Sequence, residues 1–518
     1  MSKGKPSIAA ERALKGREVE IKLAFDPASA ARLAAHPLLS AAPQKQDLVS
    51  VYFDTPRETL RKAGVYLRIR DIDGRRVQTV KAERRGGGPF DRLEWEREVK
   101  GRTPNFSGAN RTALKLLTPD LRAALRPVFE TRVSRNVYRV AYDGSDIELA
   151  IDQGEIAAAA RRSPISELEL ELKRGRAKSL FSLARVLADT VPLRLDVKSK
   201  AERGFELLHQ DSAPEKAAEI DIPPTLTVGE AFRTVAHNCL RQILANAVAT
   251  RAGHAESLHQ MRIGLRRLRA ALAIFSAAVS DEHMERIKAE LKWMTRELGP
   301  ARDLDVFAAN VLTPLSEADP GHVDMEAARR DFAAKREAAY ARAAAALGSS
   351  RFRNAVLDLA EWIETGAGNH DDEGKASRDG AVAEYAAKAL ARLHKRIKRK
   401  GADLRRLNVG RRHRLRIRAK RLRYGTEFFA ATFPGKSSAA RRSKSLHALK
   451  DLQDALGSLN DIATHHDLIG GGAQRAAEAH GMASAPDKVN DLLLQSERAF
   501  ARFAATKPFW TAKAEVRS

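Results

Sequence analysis

One cysteine, Cys239, occurs in 518 residues. An intrachain disulfide and a cysteine-based zinc cluster are therefore excluded, which fits a reducing compartment. No run of 18 apolar residues offers a membrane span, and Met1-Ser2-Lys3-Gly4-Lys5-Pro6 lacks the apolar core of a signal peptide. The expectation is a soluble, cytoplasmic protein. Aromatic residues make up only 6% and form no RNA-binding signature, which argues against nucleic acid as the partner. Walker A, Ser-His-Asp and zinc-ligand patterns are missing too. Acid is scarce relative to base: 66 Asp+Glu against 91 Lys+Arg, a net charge of +25. A surplus of that size attracts polyanions of any kind.

Apolar content of 43% is ample for globular folding, and the length calls for two or three domains. An N-terminal tail, 1–17, precedes a strand-rich domain, 18–210. Val49–Phe53, Val65–Arg70, Val77–Lys81, Leu93–Val99, Val137–Tyr142 and Ile147–Asp152 are β-branched or aromatic runs separated by turn signals. Helices are expected near 27–36, 110–125 and 177–189. A proline-bearing linker covers 211–226. Beyond it, 227–518 reads as helical, broken by a glycine-rich segment, 366–380, expected to be a disordered loop.

That helical region repeats itself, about 227–365 and 381–518. His259-x-x-Arg262 with Arg266-Arg267-Leu268-Arg269 recurs 154 residues later as His413-x-x-Arg416 with Lys420-Arg421-Leu422-Arg423. Leu298-Gly299 with Asp303 recurs 158 residues later as Leu456-Gly457 with Asp461. The two aspartates are read as orienting arginines or capping helices.

The chemistry concentrates in charged strands. Glu18-Val19-Glu20-Ile21-Lys22 and Glu167-Leu168-Glu169-Leu170-Glu171-Leu172-Lys173 alternate charged and apolar residues, so each strand carries its charges on one face. Crowded carboxylates repel one another unless cations sit among them. Arg68 with Arg70, Lys81, Glu94 with Glu96, Arg132 and Arg135, Asp152, and Lys198 with Lys200 add charge to further strands. Many strands polar on one face suit a closed barrel with a polar lumen and helices outside. Glu18, Glu20, Glu169 and Glu171, supported by Asp152, supply hard oxygens for Mg²⁺ or Mn²⁺. Arginine and lysine opposite them suit phosphate oxygens.

These words resemble the CYTH domain of the triphosphate tunnel metalloenzymes. The match rests on Glu18-x-Glu20-x-Lys22, Tyr52-Phe53-Asp54-Thr55, Leu67-Arg68-x-Arg70, Thr79-x-Lys81, Glu94-x-Glu96, Asp152-x-Gly154, the Glu167–Lys173 strand and Ser199-Lys200. The resemblance implies an antiparallel tunnel holding a triphosphate and a divalent metal. Glu18, Glu20, Glu169 and Glu171 would form the metal side; Lys22, Arg68, Arg70, Lys81 and Lys200 the phosphate side. Arg132 or Arg135 would join the phosphate side, and Lys173 and Lys198 are further candidates for substrate contact.

In the helical half, a wheel of 100° per residue puts Arg262, Arg266 and Arg269 beside His259 and gathers Met261, Leu265, Leu268, Leu272 and Phe275 on an adjoining stripe. His413, Arg416, Lys420 and Arg423 repeat the basic stripe. From Arg392 to Arg423 there are sixteen basic residues against one acid, Asp403. This half resembles the CHAD domain, which implies two helical bundles over a basic groove that binds inorganic polyphosphate through these residues; His259 and His413 either contact phosphate or bond to a backbone carbonyl within the bundle.

The expected architecture is thus α+β: an antiparallel barrel followed by two pseudo-symmetric helical bundles. The expected activity is metal-dependent hydrolysis of inorganic triphosphate to pyrophosphate and phosphate, with association to polyphosphate granules. The alternatives are a non-catalytic polyphosphate binder, or a CYTH enzyme acting on thiamine triphosphate, a nucleoside triphosphate, or as an adenylate cyclase.

Overall fold

The structure is a computed structural model that describes residues 19–83, 92–107, 117–209, 213–309, 313, 323–366, 372–468 and 486–511. Glu18 lies outside them. The chain divides into two compact units. The first comprises residues 1–215 together with Ser350–Thr365, and the second Lys216–Ser349 with Gly366–Ser518.

The first unit is built on one antiparallel sheet. Its strands are β1 (Glu20–Ala24), β2 (Gln44–Asp54), β3 (Val65–Ile72), β4 (Arg75–Glu83), β5 (Arg92–Glu98), β6 (Arg126–Tyr142), β7 (Ser145–Ala158), β8 (Arg161–Arg174) and β9 (Arg194–Asp196). They pair in the order β5-β4-β3-β2-β6-β7-β8-β1-β9. This is the antiparallel strand domain with flanking helices that the sequence leads one to expect.

Alternation does the sorting. Ile21 and Leu23 of β1 and Leu168 and Leu170 of β8 are fully buried, while the charged residues between them face the other way. The helix Ala177–Thr190 covers that apolar side, burying Leu180, Phe181, Leu183 and Leu187 completely. Each such side chain contributes about 1.5–3 kcal/mol by leaving water. A second apolar cluster joins Tyr52, Phe129, Val133, Ile156 and Ile165 to Ala201 and Phe205 of the helix Lys200–His209. Gly204 permits that close approach, because a Cβ there would stand 2.2 Å from the Phe129 ring. The helix Ser350–Thr365 packs on Ala177–Thr190, where Arg185 reaches Asp358 at 2.5 Å and Glu361 at 2.6 Å. The sequence reads these residues as part of the helical repeat; the structure groups them with the sheet.

The second unit is helical. Val228–Arg251, Ala255–Ile274, Glu282–Glu297, Gly299–Phe307 and Val323–Gly348 precede the break, and Val382–Gly401, Val409–Phe428, Lys436–Leu468 and Pro486–Ala504 follow it. A capping box, Thr227 with Glu230, starts the first of these. The segment expected to be a disordered loop contains a helix, Asp372–Asp379; residues 367–371 lie outside the described residues.

The repeat closes on itself. Val228 N donates to Gly380 O at 3.0 Å, and Val382 N, 154 residues on, donates to Leu226 O at 3.2 Å. Thr227 bridges Ala381, its own counterpart. Phe275 and Phe429, another equivalent pair, have ring centroids 5.5 Å apart. Contacts between equivalent residues are the mark of a pseudo-two-fold relation.

Candidate functional site

Residues from β1 to β8 and from the helix Lys200–His209 line one cavity of about 360 Å³. Register explains its acid wall. Glu20 of β1 stands opposite Glu171 of β8, and Glu171 opposite Glu148 of β7. One rung inward come Lys22, Glu169 and Ala150, and beyond them Ala24, Glu167 and Asp152. The other side brings Tyr66, Arg68, Arg70 and Lys81 from β3 and β4 into the same space, with Arg135 of β6.

The innermost carboxylates are already neutralised. Oxygens of Asp152, Glu167 and Glu169 all lie within 4.8 Å of one another, close enough to hold a metal ion. Lys200 Nζ stands among them, 2.7 Å from Asp152 and 3.0 Å from Glu169, and hydrogen-bonded to Glu167. Arg135 donates to both oxygens of Asp152 at 2.7 Å and to Glu169 at 2.5 Å. Arg203 and Lys22 approach Glu167 at 3.2 and 3.7 Å. Burial raises the carboxyl pKa of Glu169, but Lys200, Arg135 and Lys22 outweigh it and hold Glu169 well below the usual range. Asp152 is lowered by the same balance of burial against Lys200 and Arg135. A metal ion at this trio would have to displace the Lys200 ammonium.

The outer rung is different. Lys173 stands 2.6 Å from Glu171 and 3.3 Å from Glu148, and Glu20 interacts with Lys22 from the next rung. Burial, then Glu148 and Glu20, push the Glu171 carboxyl up against the pull of Lys173. Strand register places these three carboxylates side by side on one rung, whereas the carboxylates with oxygens mutually within 4.8 Å are the deeper Asp152, Glu167 and Glu169.

The opposite wall has the converse strain. Burial, with Arg68 and Arg135 nearby, depresses the Arg70 guanidinium to about 10. Arg70 Nε donates to Ser50 Oγ at 3.1 Å. Tyr52 is lowered, because Arg68 and Arg70 outweigh its burial. A buried pair of arginines is the complement of a polyanion.

The expected site residues therefore separate. Glu20, Lys22, Arg68, Arg70, Lys81, Arg135, Glu169, Glu171, Lys173 and Lys200 line the cavity, and Asp152 is completely buried behind Arg135 and Lys200. Two do not join it. Arg132 is three residues from Arg135, so it points to the other face of β6, where it is 65% exposed and bonded to Glu130 at 2.8 Å. Lys198 pairs with Glu206 at 2.6 Å beside the cavity; β9 ends at Asp196, so strand alternation does not carry it to Lys200's side. Glu148, Glu96, Tyr52, Tyr66 and Ser199 are lining residues that had not been assigned. Glu148 was legible, since it lies four residues before Asp152 on the same strand.

In the helical unit, His259, Arg262 and Arg266 are half-buried and Arg269 is exposed. Burial first, then Arg302, Arg266 and Arg262, lower the His259 imidazole. In the second copy His413 is exposed, and Arg416, Lys420 and Arg423 are half-buried. The Leu-Gly words gain a role. A Cβ on Gly299 would lie 3.4 Å from Arg262 Nη1, and one on Gly457 2.9 Å from Arg416 Nη2. Arg262 also donates to Thr295 O and Arg416 to Gln453 O, each at 3.4 Å. Asp303 is 3.8 Å from Arg262, fitting an orienting role. The side chain of Asp461 lies outside the described residues.

A sheet with acid and base on one face, followed by a duplicated helical unit with basic stripes, defines a two-domain class of protein. The CYTH domain family matches residues 16–205 and the CHAD domain family residues 234–470. The chain is thus a CYTH domain followed by a CHAD domain. Over 195 residues it is 31% identical to the inorganic triphosphatase of Haemophilus influenzae, covering 37% of this chain and 55% of that protein. The chain spans about half the length of this curated relative. Solved structures similar to it include the CHAD domain from the plant Ricinus communis, at 28% identity over 57% of this chain and 92% of that one, TM-score 0.43. A putative adenylyl cyclase from Hippeastrum, described as having a dominant triphosphatase activity, is 20% identical over 37% of this chain and 95% of that one, TM-score 0.29.

Proposed function

We propose that the sheet cavity hydrolyses inorganic triphosphate to pyrophosphate and phosphate with Mg²⁺ or Mn²⁺, and that the helical unit binds inorganic polyphosphate. One observation carries the enzymatic half: a three-carboxylate rung, Glu20–Glu171–Glu148, shares a cavity with Arg68, Arg70 and Lys81. Glu20, Glu171 and Glu148, with Glu169 adjoining, would hold the cation. When bound, such an ion neutralises phosphate oxygens and can acidify a bound water.

The protein's own groups orient and stabilise. Arg68, Arg70 and Lys81 grip the phosphate oxygens, and Arg70 regains its ordinary basicity as anionic charge arrives. Arg135, fixed on Asp152 and Glu169, presents its remaining guanidinium edge. Lys200, Arg135 and Lys22 neutralise the deep carboxylates, while the outer rung has Lys173 against three carboxylates.

His259, Arg262, Arg266 and Arg269, with His413, Arg416, Lys420 and Arg423, supply the polyphosphate contacts. The test is phosphate release from triphosphate with Mg²⁺ or Mn²⁺ for the wild type and Glu171→Gln. Turnover that the substitution reduces by about two orders of magnitude supports the reading; absence of turnover by the wild type refutes it in favour of the non-catalytic binder.

A further inference from the structure

The two helical repeats are not equal where they should match. In the first, Arg267 is buried and satisfied: Nη1 donates to Asn238 Oδ1 at 2.8 Å and Gln242 Oε1 at 3.1 Å, and the guanidinium lies over the Phe428 ring. Gln242 in turn donates to Gln260 at 3.1 Å. The linker covers this place, with Asn238 Nδ2 donating to Ala218 O at 3.0 Å, and Glu219 and Glu427 in the wall.

Moving 154 residues on replaces every acceptor by a cation. Arg267 becomes Arg421, Asn238 becomes Arg392, Gln242 becomes Arg396, Gln260 becomes Arg414, and Glu427 corresponds to Ala273. The chain before Val382 forms the helix Asp372–Asp379 where the first copy has an extended covering segment. What remains is a groove of about 450 Å³ with Arg392, Arg396, Arg399 and Arg421 over a floor of Ala273, Ile274 and Leu393, and no carboxylate among its described lining residues. Burial, with Arg396, Arg418 and Arg269 nearby, lowers the Arg421 guanidinium.

We infer that this groove is a phosphate-anion site confined to the second repeat, in which phosphate groups of a polyphosphate chain take the places held by Asn238 and Gln242 in the first. It borders the first His-Arg stripe at Arg269, is lined by arginines outside both stripes, and rests on the polyphosphate reading above. Forked guanidinium donors match phosphate oxygens in pairs. Converging arginines repel one another unless an anion lies between them. Thus the first repeat makes its own counter-groups, and the second borrows them.

The test is calorimetric titration of the full chain with long-chain inorganic polyphosphate in EDTA. The variant Arg392→Asn/Arg396→Gln installs the first repeat's side chains. The control, Arg405→Gln/Arg406→Gln, removes equal charge from exposed positions outside the groove. Affinity about ten-fold or more lower in the first variant alone supports the inference. So does a salt slope shallower by about 1.4, the share of two phosphate contacts on a single strand. The substituted arginines are exposed, so its melting temperature without ligand should not fall. Equal losses in both variants, or no loss in either while the wild type binds, overturn the inference and leave the broader reading standing. No binding by the wild type overturns both. Duplex DNA displacing polyphosphate at equal phosphate concentration overturns the choice of anion.

Discussion

Replacing Lys200 by methionine tests the idea that the deep carboxylates are silenced by an internal cation. The substitution keeps the stem and removes an ammonium that touches Asp152, Glu167 and Glu169. Each carboxylate retains another partner: Arg135 for Asp152 and Glu169, Arg203 and Lys22 for Glu167. The loss should therefore sit at the lower end of the range for breaking a buried ion pair, about 3 kcal/mol. For a unit of this size that lowers the melting temperature by about 6–12 °C. The sign of the pH dependence follows from the depressed carboxyls. Asp152 and Glu169 have folded values below 3.8 and 4.5, so their stabilising contribution is full above those values and disappears as pH falls through the folded ones. Without Lys200 there is less to lose, and the gap between wild type and variant should narrow in acid. Divalent cations should restore part of the loss at neutral pH, since the trio is spaced to accept one. Calorimetry across pH, with and without Mg²⁺, reads all three effects. Equal melting at pH 7, or a gap that persists undiminished in acid, refutes the argument.

Two further outcomes follow from the same geometry. Glu171 has a folded pKa above 4.5, so without metal the folded state favours its protonated form and stability declines as pH rises through that window. Metal must displace this proton, so Mg²⁺ affinity should climb up to about ten-fold per pH unit there, and Glu171→Gln should flatten the climb. Arg132→Ala should leave triphosphate turnover within about two-fold, while Arg135→Ala should lower it about a hundred-fold; equal effects would show the assignment of strand faces to be wrong.

Legibility varied with the periodicity. Strand alternation in Glu18–Lys22 and Glu167–Lys173 was enough to foresee a charged interior face. The 154-residue echo foresaw two helical copies that meet residue against residue. The odd spacing of Arg132 and Arg135 puts them on opposite faces of the strand, but which one faces the cavity took the pairing of Arg135 with Asp152. Other features are tertiary. Nothing local tells that Lys200, at a helix start, ends among three carboxylates from two neighbouring strands. Nor does local pattern show that Ser350–Thr365, helical like its neighbours, packs on Ala177–Thr190. The Leu-Gly words were visible as repeats, but their purpose, room for a guanidinium, exists only once helices cross.

The placement of Ser350–Thr365 has a temporal consequence. A ribosome that has released residue 215 has not yet delivered the last piece of the sheet-bearing body. That helix follows only after the intervening stretch has been made, on the order of ten seconds later at 5–20 residues per second. Until then Arg185 lacks Asp358 and Glu361, and part of the Ala177–Thr190 surface waits uncovered. An expression fragment cut at the linker would be frozen in that unfinished form.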